Sequence, residues 1–237
     1  MTTTNPQLPR YTRQTMLPQF GEEGQQKLAS AKVLLVGVGG LGSPIALYLA
    51  GAGIGQIGLV DPDVVSENNL QRQVLYKENE IGKWKVECAK KRLLELNSHL
   101  EVNCYPCRFD KENGEKIASQ YDLIIDGCDN FSTRYLMDDI SFRLNIPYIY
   151  GSIGEFHGQV SVFNWKNSCR YRDLYPEEDA VSANESTMKG VLGPVPGVIG
   201  TLQAIETIKV ITGIGEPLRN RLLTIDLLTM EILIFEI

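Results

Sequence analysis

Val33-Leu34-Leu35-Val36-Gly37-Val38-Gly39-Gly40-Leu41-Gly42 runs from a short apolar stretch straight into a cluster of glycines. An apolar run stopped by a turn-former reads as a buried strand, and Ser43 to Ala52 has the length and composition of a helix. A second apolar run, Ile57 to Val60, ends in Asp61. Strand, glycine turn, helix and strand in that order make a βαβ unit. Its two strands run parallel, because the helix carries the chain back to the end where the first strand began.

The alternation extends outward from this unit. Residues 1–30 are expected to form an N-terminal arm with a helix. From Lys85 to Asn97 the apolar residues Val86, Ala89, Leu93 and Leu96 share one helical face, with Lys90, Lys91 and Arg92 elsewhere on the helix. A strand near 102–105, a helix near 111–119, a buried strand from Leu123 to Asp126, a helix from Ser132 to Leu144 and a strand from Tyr148 to Tyr150 follow. Beyond Gly158, Val160, Val162 and Trp165 suggest antiparallel strands added to the parallel half. Residues 167–189 are polar and without periodicity, which predicts a flexible crossover loop. Pro196 to Thr212 reads as a mostly buried helix closed by Gly213, and Leu222 to Ile225 with Glu231 to Phe235 as a hairpin. The expected fold is α/β: a Rossmann-like mixed sheet, its parallel N-terminal half continued by antiparallel strands, with helices on both faces, in a single domain over residues 1–237.

Composition narrows the function. Hydrophobic residues are 43% and charged residues 22% of the 237, and the net charge is −6. A nucleic-acid partner is disfavoured, because phosphate-backbone binding shows as a basic excess or stripe. The longest apolar stretches are strand-length or broken by glycine, short of the roughly 20 residues of a membrane span. Met1 to Pro9 lacks the apolar core of a signal peptide, and the five scattered cysteines do not suggest a secreted disulfide framework. The cytoplasm is the expected compartment.

Glycines at 37, 39, 40 and 42, after a strand and opening a helix, let backbone approach phosphates closely. Asp61 ends the next strand, about twenty residues past the last of them, where an acid can accept hydrogen bonds from ribose hydroxyls. A nicotinamide or flavin oxidoreductase shares this fingerprint, with His99, just past an expected helix end, and His157, in an expected turn, as the available acid/base histidines. It does not obviously require the dense run Asn68-Asn69-Leu70-Gln71-Arg72-Gln73 followed by Lys83 and Lys85, or the acids Asp126 and Asp129 at the end of a sheet strand. Those residues suit transfer of a nucleotidyl group. A carboxylate attacking the α-phosphorus of ATP brings anion against anion, at about 4 kcal/mol for unit charges about 4 Å apart in a dielectric of about 20. Arg72 can grip phosphate oxygens with its planar fork, Lys85 can set a point charge at the α-phosphate, and Asp129 can hold a bridging Mg2+. Taken singly, the three have plainer readings: Arg72 as a surface ion pair, Lys85 as a solvated lysine, and Asp129 as a helix N-cap.

The sequence resembles the ThiF, MoeB and HesA group, related to ubiquitin-activating enzymes. The matching segments are RYTRQ at 10–14, GVGGLGSP at 37–44, NLQRQ at 69–73, GKWKVECAKKRL at 82–93, DGCDNFSTRY at 126–135 and GVLGPVPGVIGTLQAIETIK at 190–209. The resemblance implies adenylation of the C-terminal glycine of a small ubiquitin-fold sulfur carrier with a Gly-Gly tail, using MgATP and releasing pyrophosphate, in thiamine or molybdopterin sulfur transfer. It implies that Gly37, Gly39, Gly40 and Gly42 face the phosphates, that Asp61 binds ribose, that Asn69, Arg72 and Lys85 contact phosphates, and that Asp129 binds magnesium. It further implies a homodimer in which Arg13 reaches the partner's ATP site.

The chain departs from the family in its cysteines. The family's first zinc-binding Cys-x-x-Cys context reads Arg170-Tyr171-Arg172-Asp173 here, and the chain reaches Ile237 without a second pair, so no zinc site is expected. Cys104 and Cys107 fall in an expected strand, where an offset of three sends them to opposite faces, and they read as structural. The position of the cysteine that in some members bonds to the carrier is Ser186, which leaves Cys169 as the candidate thiol. A scaffold that binds a carrier without activating it is the third reading.

Overall fold

The computed structural model describes residues 8–176 and 190–237. The chain runs α1 (Leu8–Thr15), α2 (Gly21–Ser30), β1 (Lys32–Val36), α3 (Gly42–Ala52), β2 (Gln56–Val60), α4 (Lys85–Leu96), β3 (Glu101–Tyr105), α5 (Gly114–Ala118), β4 (Leu123–Asp126), α6 (Phe131–Leu144), β5 (Tyr148–Gly154), β6 (His157–Phe163), α7 (Tyr171–Leu174), α8 (Pro194–Thr212), β7 (Arg221–Asp226) and β8 (Glu231–Glu236).

All the strands join one eight-stranded sheet in the order β3-β2-β1-β4-β5-β6-β7-β8. The strands from β3 across to β5 are parallel. The pairs β5–β6, β6–β7 and β7–β8 are antiparallel. The alternation of side chains along β1 explains why both faces are covered. Val33 and Leu35 enter one core cluster with Leu49 of α3, Val86 of α4 and Ile199 of α8. Leu34 and Val36 enter the other with Ile117 of α5, Met137 of α6 and Tyr171 of α7. Each such fully buried aliphatic side chain stabilises the fold by roughly 1.5–3 kcal/mol, so neither layer is dispensable. Among the described residues no helix is long and apolar enough to cross a membrane.

The sequence-based expectations need five corrections. The N-terminal arm is two helices, α1 and α2, from Leu8 onward. The expected helix near 111–119 shrinks to Gly114–Ala118. Cys107 lies beyond the end of β3, so the opposite-faces argument does not apply to it. His157 opens β6 instead of sitting in a turn. The crossover loop begins as a docked helix, because Arg170 and Arg172 of its first part pair with Asp138 and Asp139 of α6 at 2.7–2.9 Å. Burial alone would push the Asp139 carboxyl up, but the hydrogen bonds and charges of Arg172 and Arg170 hold it below its ordinary value. The remainder of that loop, 177–189, lies outside the described residues.

Strand order reverses between β1 and β4, and the turns that leave these two strands pack backbone to backbone. Gly37 has φ +90, and a Cβ there would lie 2.5 Å from the Gly127 carbonyl; one on Gly127 would lie 2.1 Å from the Gly37 oxygen. Gly127→Ala is therefore expected to destabilise the protein by about 1–3 kcal/mol, because main chain cannot move aside as a side chain would. Chemical denaturation checks this, and an unchanged midpoint would contradict the close packing.

Candidate active site

Open parallel sheets bind their ligands at the carboxyl ends of the strands where the order reverses, and both glycine turns lie there. Gly42 starts α3 and packs on Gly37, where a Cβ would meet the Gly37 oxygen at 2.3 Å. The turn is thus pulled tight from below. Gly39 and Gly40 are approached by side chains instead. Gln73 lies 3.4 Å from a Cβ placed on Gly39, and Pro196 at 3.2 Å and Arg72 at 3.6 Å from one placed on Gly40.

Asp61, 5% exposed, holds the turn from the β2 side. Its two oxygens accept from the amides of Val38 at 2.8 Å and Asp63 at 2.9 Å. Burial pushes its carboxyl above the ordinary value, against the opposing pull of the Lys85 ammonium and those two amides. Lys85, itself 5% exposed, sits 3.9 Å from Asp61 and 2.9 Å from Asp63. A solvated first-turn lysine would not look like this. The Tyr76 hydroxyl donates to the Val38 carbonyl at 2.6 Å and completes the brace.

Arg72 follows the 3-10 turn Glu67–Asn69. Its guanidinium donates to the Asn68 carbonyl at 3.1 Å and has no carboxylate partner among the described residues, so it is not the surface ion pair of the plain reading. Asn69 belongs to the same turn and its amide donates to the Asn68 side chain at 3.0 Å. Asp129 follows Gly127 by two residues, is exposed, and has no hydrogen-bond or ion-pair partner among the described residues. The N-cap of α6 is Asn130, whose side chain accepts from the Thr133 amide at 2.9 Å. Asp129 is therefore released from the capping role.

Asp126 leaves the candidate set. It is fully buried, paired with Arg134 at 3.0 Å, and bonded to the Tyr148 hydroxyl at 3.1 Å. Arg134 also reaches the Cys128 carbonyl at 3.1 Å, which fixes the turn that presents Asp129. Arg134, Tyr76 and Gln73 were given no individual role from the sequence, although Gln73 and Arg134 lie inside quoted segments and Tyr76 follows one closely. Nothing in a sequence distinguishes a buried brace from a surface residue beside a motif.

Arg13, Cys169 and the histidines lie elsewhere. Arg13 is exposed on α1, and α1 packs at the far end of α3, where Tyr11 lies 2.6 Å from a Cβ placed on Gly53. The length of α3, about 16 Å at 1.5 Å per residue, separates that end from the glycine turn. Cys169 is bonded through its backbone to Asn164 and Asn220, next to the end of β6 and the start of β7, where Phe163 pairs with Tyr148 at the start of β5; this is the amino end of the parallel strands, opposite the end that carries the turns. Burial raises its thiol, so it combines poor placement with poor ionisation. Burial and the Asp126 carboxylate raise Cys128 well above its ordinary value. His99 is exposed past the end of α4, and His157 lies 3.8 Å from Asp226 at the tip of the antiparallel strands. Among the described residues no group of three or more His, Cys, Asp or Glu side chains could hold a metal ion.

The chain is similar to several known proteins. The sulfur carrier protein adenylyltransferase of Thermus thermophilus is 44% identical over 95% of this chain and 85% of its own length. The probable molybdopterin-synthase adenylyltransferase of Pyropia yezoensis is 49% identical over 96% of this chain and 61% of its own. The crystal structure of E. coli MccB with ATP superposes with a TM-score of 0.85 at 27% identity, covering 96% of this chain and 71% of that one. The chain spans only 46–61% of the length of several curated relatives, those from Porphyra, Pyropia and maize among them. The ThiF family matches residues 11–237. The chain belongs to the ThiF family.

Proposed function

We propose that this protein uses ATP to adenylate the C-terminal glycine carboxylate of a small ubiquitin-fold sulfur carrier with a Gly-Gly tail, releasing pyrophosphate. One observation carries the reading: the glycine turn, the buried Lys85–Asp61 pair and Arg72, which has no carboxylate partner among the described residues, meet at the switch point of the sheet. Names of relatives that share this scaffold, adenylyltransferases in bacteria and algae, support it.

The roles follow from the contacts. The backbone around Gly37, Gly39, Gly40 and Gly42 leaves room for phosphates, and each Asp61 oxygen keeps a lone pair for a ribose hydroxyl. Asn69 and Arg72 offer donors to the phosphates. Lys85 is held by Asp63, whose side chain is 64% exposed and free to turn into solvent, so the ammonium can pass from Asp63 to the α-phosphate. There it offsets the charge that builds up as the carrier carboxylate bonds to the α-phosphorus and the bond to pyrophosphate breaks. No side-chain nucleophile is needed.

Asp129 fits a Mg2+ site: it is exposed, has no partner among the described residues and lies beside the glycine turns, and this ion takes one or two such carboxylates when it also binds phosphates and water. When bound, the ion would neutralise phosphate charge. A homodimer is part of the proposal: Arg13, remote from its own turn, would serve the site of a second copy. The cytoplasm is the proposed compartment.

Exchange of labelled pyrophosphate into ATP tests the reading. Exchange is expected only when a carrier ending in Gly-Gly is present. Its absence with both thiamine-type and molybdopterin-type carriers, in a protein shown to bind ATP, would remove the carrier from the proposal. Preference for NAD over ATP would restore the oxidoreductase reading.

A further inference from the structure

Gln73 has no part in the roles above. It follows Arg72, is 4% exposed, and is fixed by its backbone: its amide donates to the Asn69 carbonyl at 2.9 Å and its carbonyl accepts from Tyr76 at 3.2 Å. The side chain folds back against the glycine turn. Its Nε2 lies 3.4 Å from a Cβ placed on Gly39, and Gln73 supplies the only described side-chain atoms within 4 Å of that point outside the neighbouring residues. Its Oε1 is buried without a hydrogen-bond partner among the described residues.

An unpaired buried amide oxygen carries its full desolvation cost, and a leucine would fill the same space without it. Packing therefore does not explain a glutamine here. What the amide adds is a donor beside the glycine that leaves room for phosphate. Buried polar groups left unsatisfied in this way commonly mark a functional demand.

We propose that Gln73 is a nucleotide-binding residue, its Nε2 donating to a phosphate oxygen seated at Gly39. The inference rests on the ATP reading above and adds a contact to it. Phosphate oxygens only accept, so the amide presents its nitrogen. The neighbouring Arg72 then grips the phosphates from the Gly40 side, and the Asn69–Gln73 turn acts as one phosphate-facing unit.

The test compares the intact protein with Gln73→Leu, Gln73→Met and Gln73→Glu by calorimetric titration of ATP and of adenosine, and by thermal melting without nucleotide. Leucine and methionine are expected to weaken ATP binding about tenfold or more, as for loss of a hydrogen bond to a charged group, while adenosine binding stays unchanged. Their melting temperatures without nucleotide should equal or exceed that of the parent, because the unpaired oxygen is gone. Glutamate should weaken ATP further by setting an anion beside the phosphates. ATP binding at parental strength in the leucine and methionine variants would overturn the proposal. So would a parallel fall in ATP affinity, adenosine affinity and melting temperature in both, which would assign Gln73 to packing. A parent that binds no ATP at all would instead overturn the nucleotide reading itself.

Discussion

Asp129→Asn is expected to lower carrier-dependent pyrophosphate exchange by at least about a hundredfold, on the scale of removing one charge-stabilising group from a preorganised site. The melting temperature should not move. The two halves of this result have different causes. Asparagine keeps the shape of the side chain and one oxygen but loses the negative charge that would attract Mg2+. Stability is untouched because Asp129 is exposed and unpartnered among the described residues, and the cap of α6 is supplied by Asn130. Raising the Mg2+ concentration should recover part of the lost rate. Exchange at the parental rate would remove Asp129 from the site, and a large fall in melting temperature would assign it to the fold.

Lys85→Met is the second large effect: a loss of exchange on the order of a thousandfold, together with a cost in stability. The double effect distinguishes it from Asp129→Asn. Lys85 is 5% exposed and is the cation facing both Asp61 and Asp63. Removing one partner of a buried pair leaves an uncompensated charge, which here is expected to cost up to about 3 kcal/mol, the exposed Asp63 end being screened by solvent. The cost also depends on pH. Burial already raises the Asp61 carboxyl, and Lys85 opposes that rise, so the variant raises it further. A carboxyl whose folded-state value lies above its unfolded one binds more protons when folded. Its charge therefore penalises folding at high pH, and the penalty fades as pH falls through the folded value. The stability gap between variant and parent should narrow on acidification. A gap that widens, or an exchange rate near the parental one, would contradict the assignment.

Much of this was legible in the sequence because the relevant signals are local. The run Val33 to Gly42 gave strand, turn and helix start from composition alone, and the apolar spacing in 85–96 placed α4 correctly. The motif residues Asp61, Arg72 and Lys85 proved to be spatial neighbours of the glycine turn, since each follows a parallel strand or opens the helix after one. What escaped was set by contacts distant in sequence. That Asp126 is spent on Arg134 while Asp129 stays exposed depends on how α6 packs over β4, which the spacing of two acids does not encode. The docking of α7 likewise escaped, because Arg170 and Arg172 in a polar stretch look solvated until Asp138 and Asp139 are brought opposite them by the fold. At the positions where the family's cysteine pair would stand, the Asp173 carboxylate accepts from the Arg170 amide at 2.7 Å, which helps fix the start of α7.

The most direct test of the central claim is a crystal structure of the protein with Mg2+ and a non-hydrolysable ATP analogue. The triphosphate is expected on the Gly37–Gly42 turn, with the ribose at Asp61, the Lys85 ammonium moved from Asp63 to the α-phosphate, and Arg72 on the phosphate oxygens. A nucleotide bound elsewhere, or a triphosphate that leaves Lys85 paired with Asp63, would contradict it.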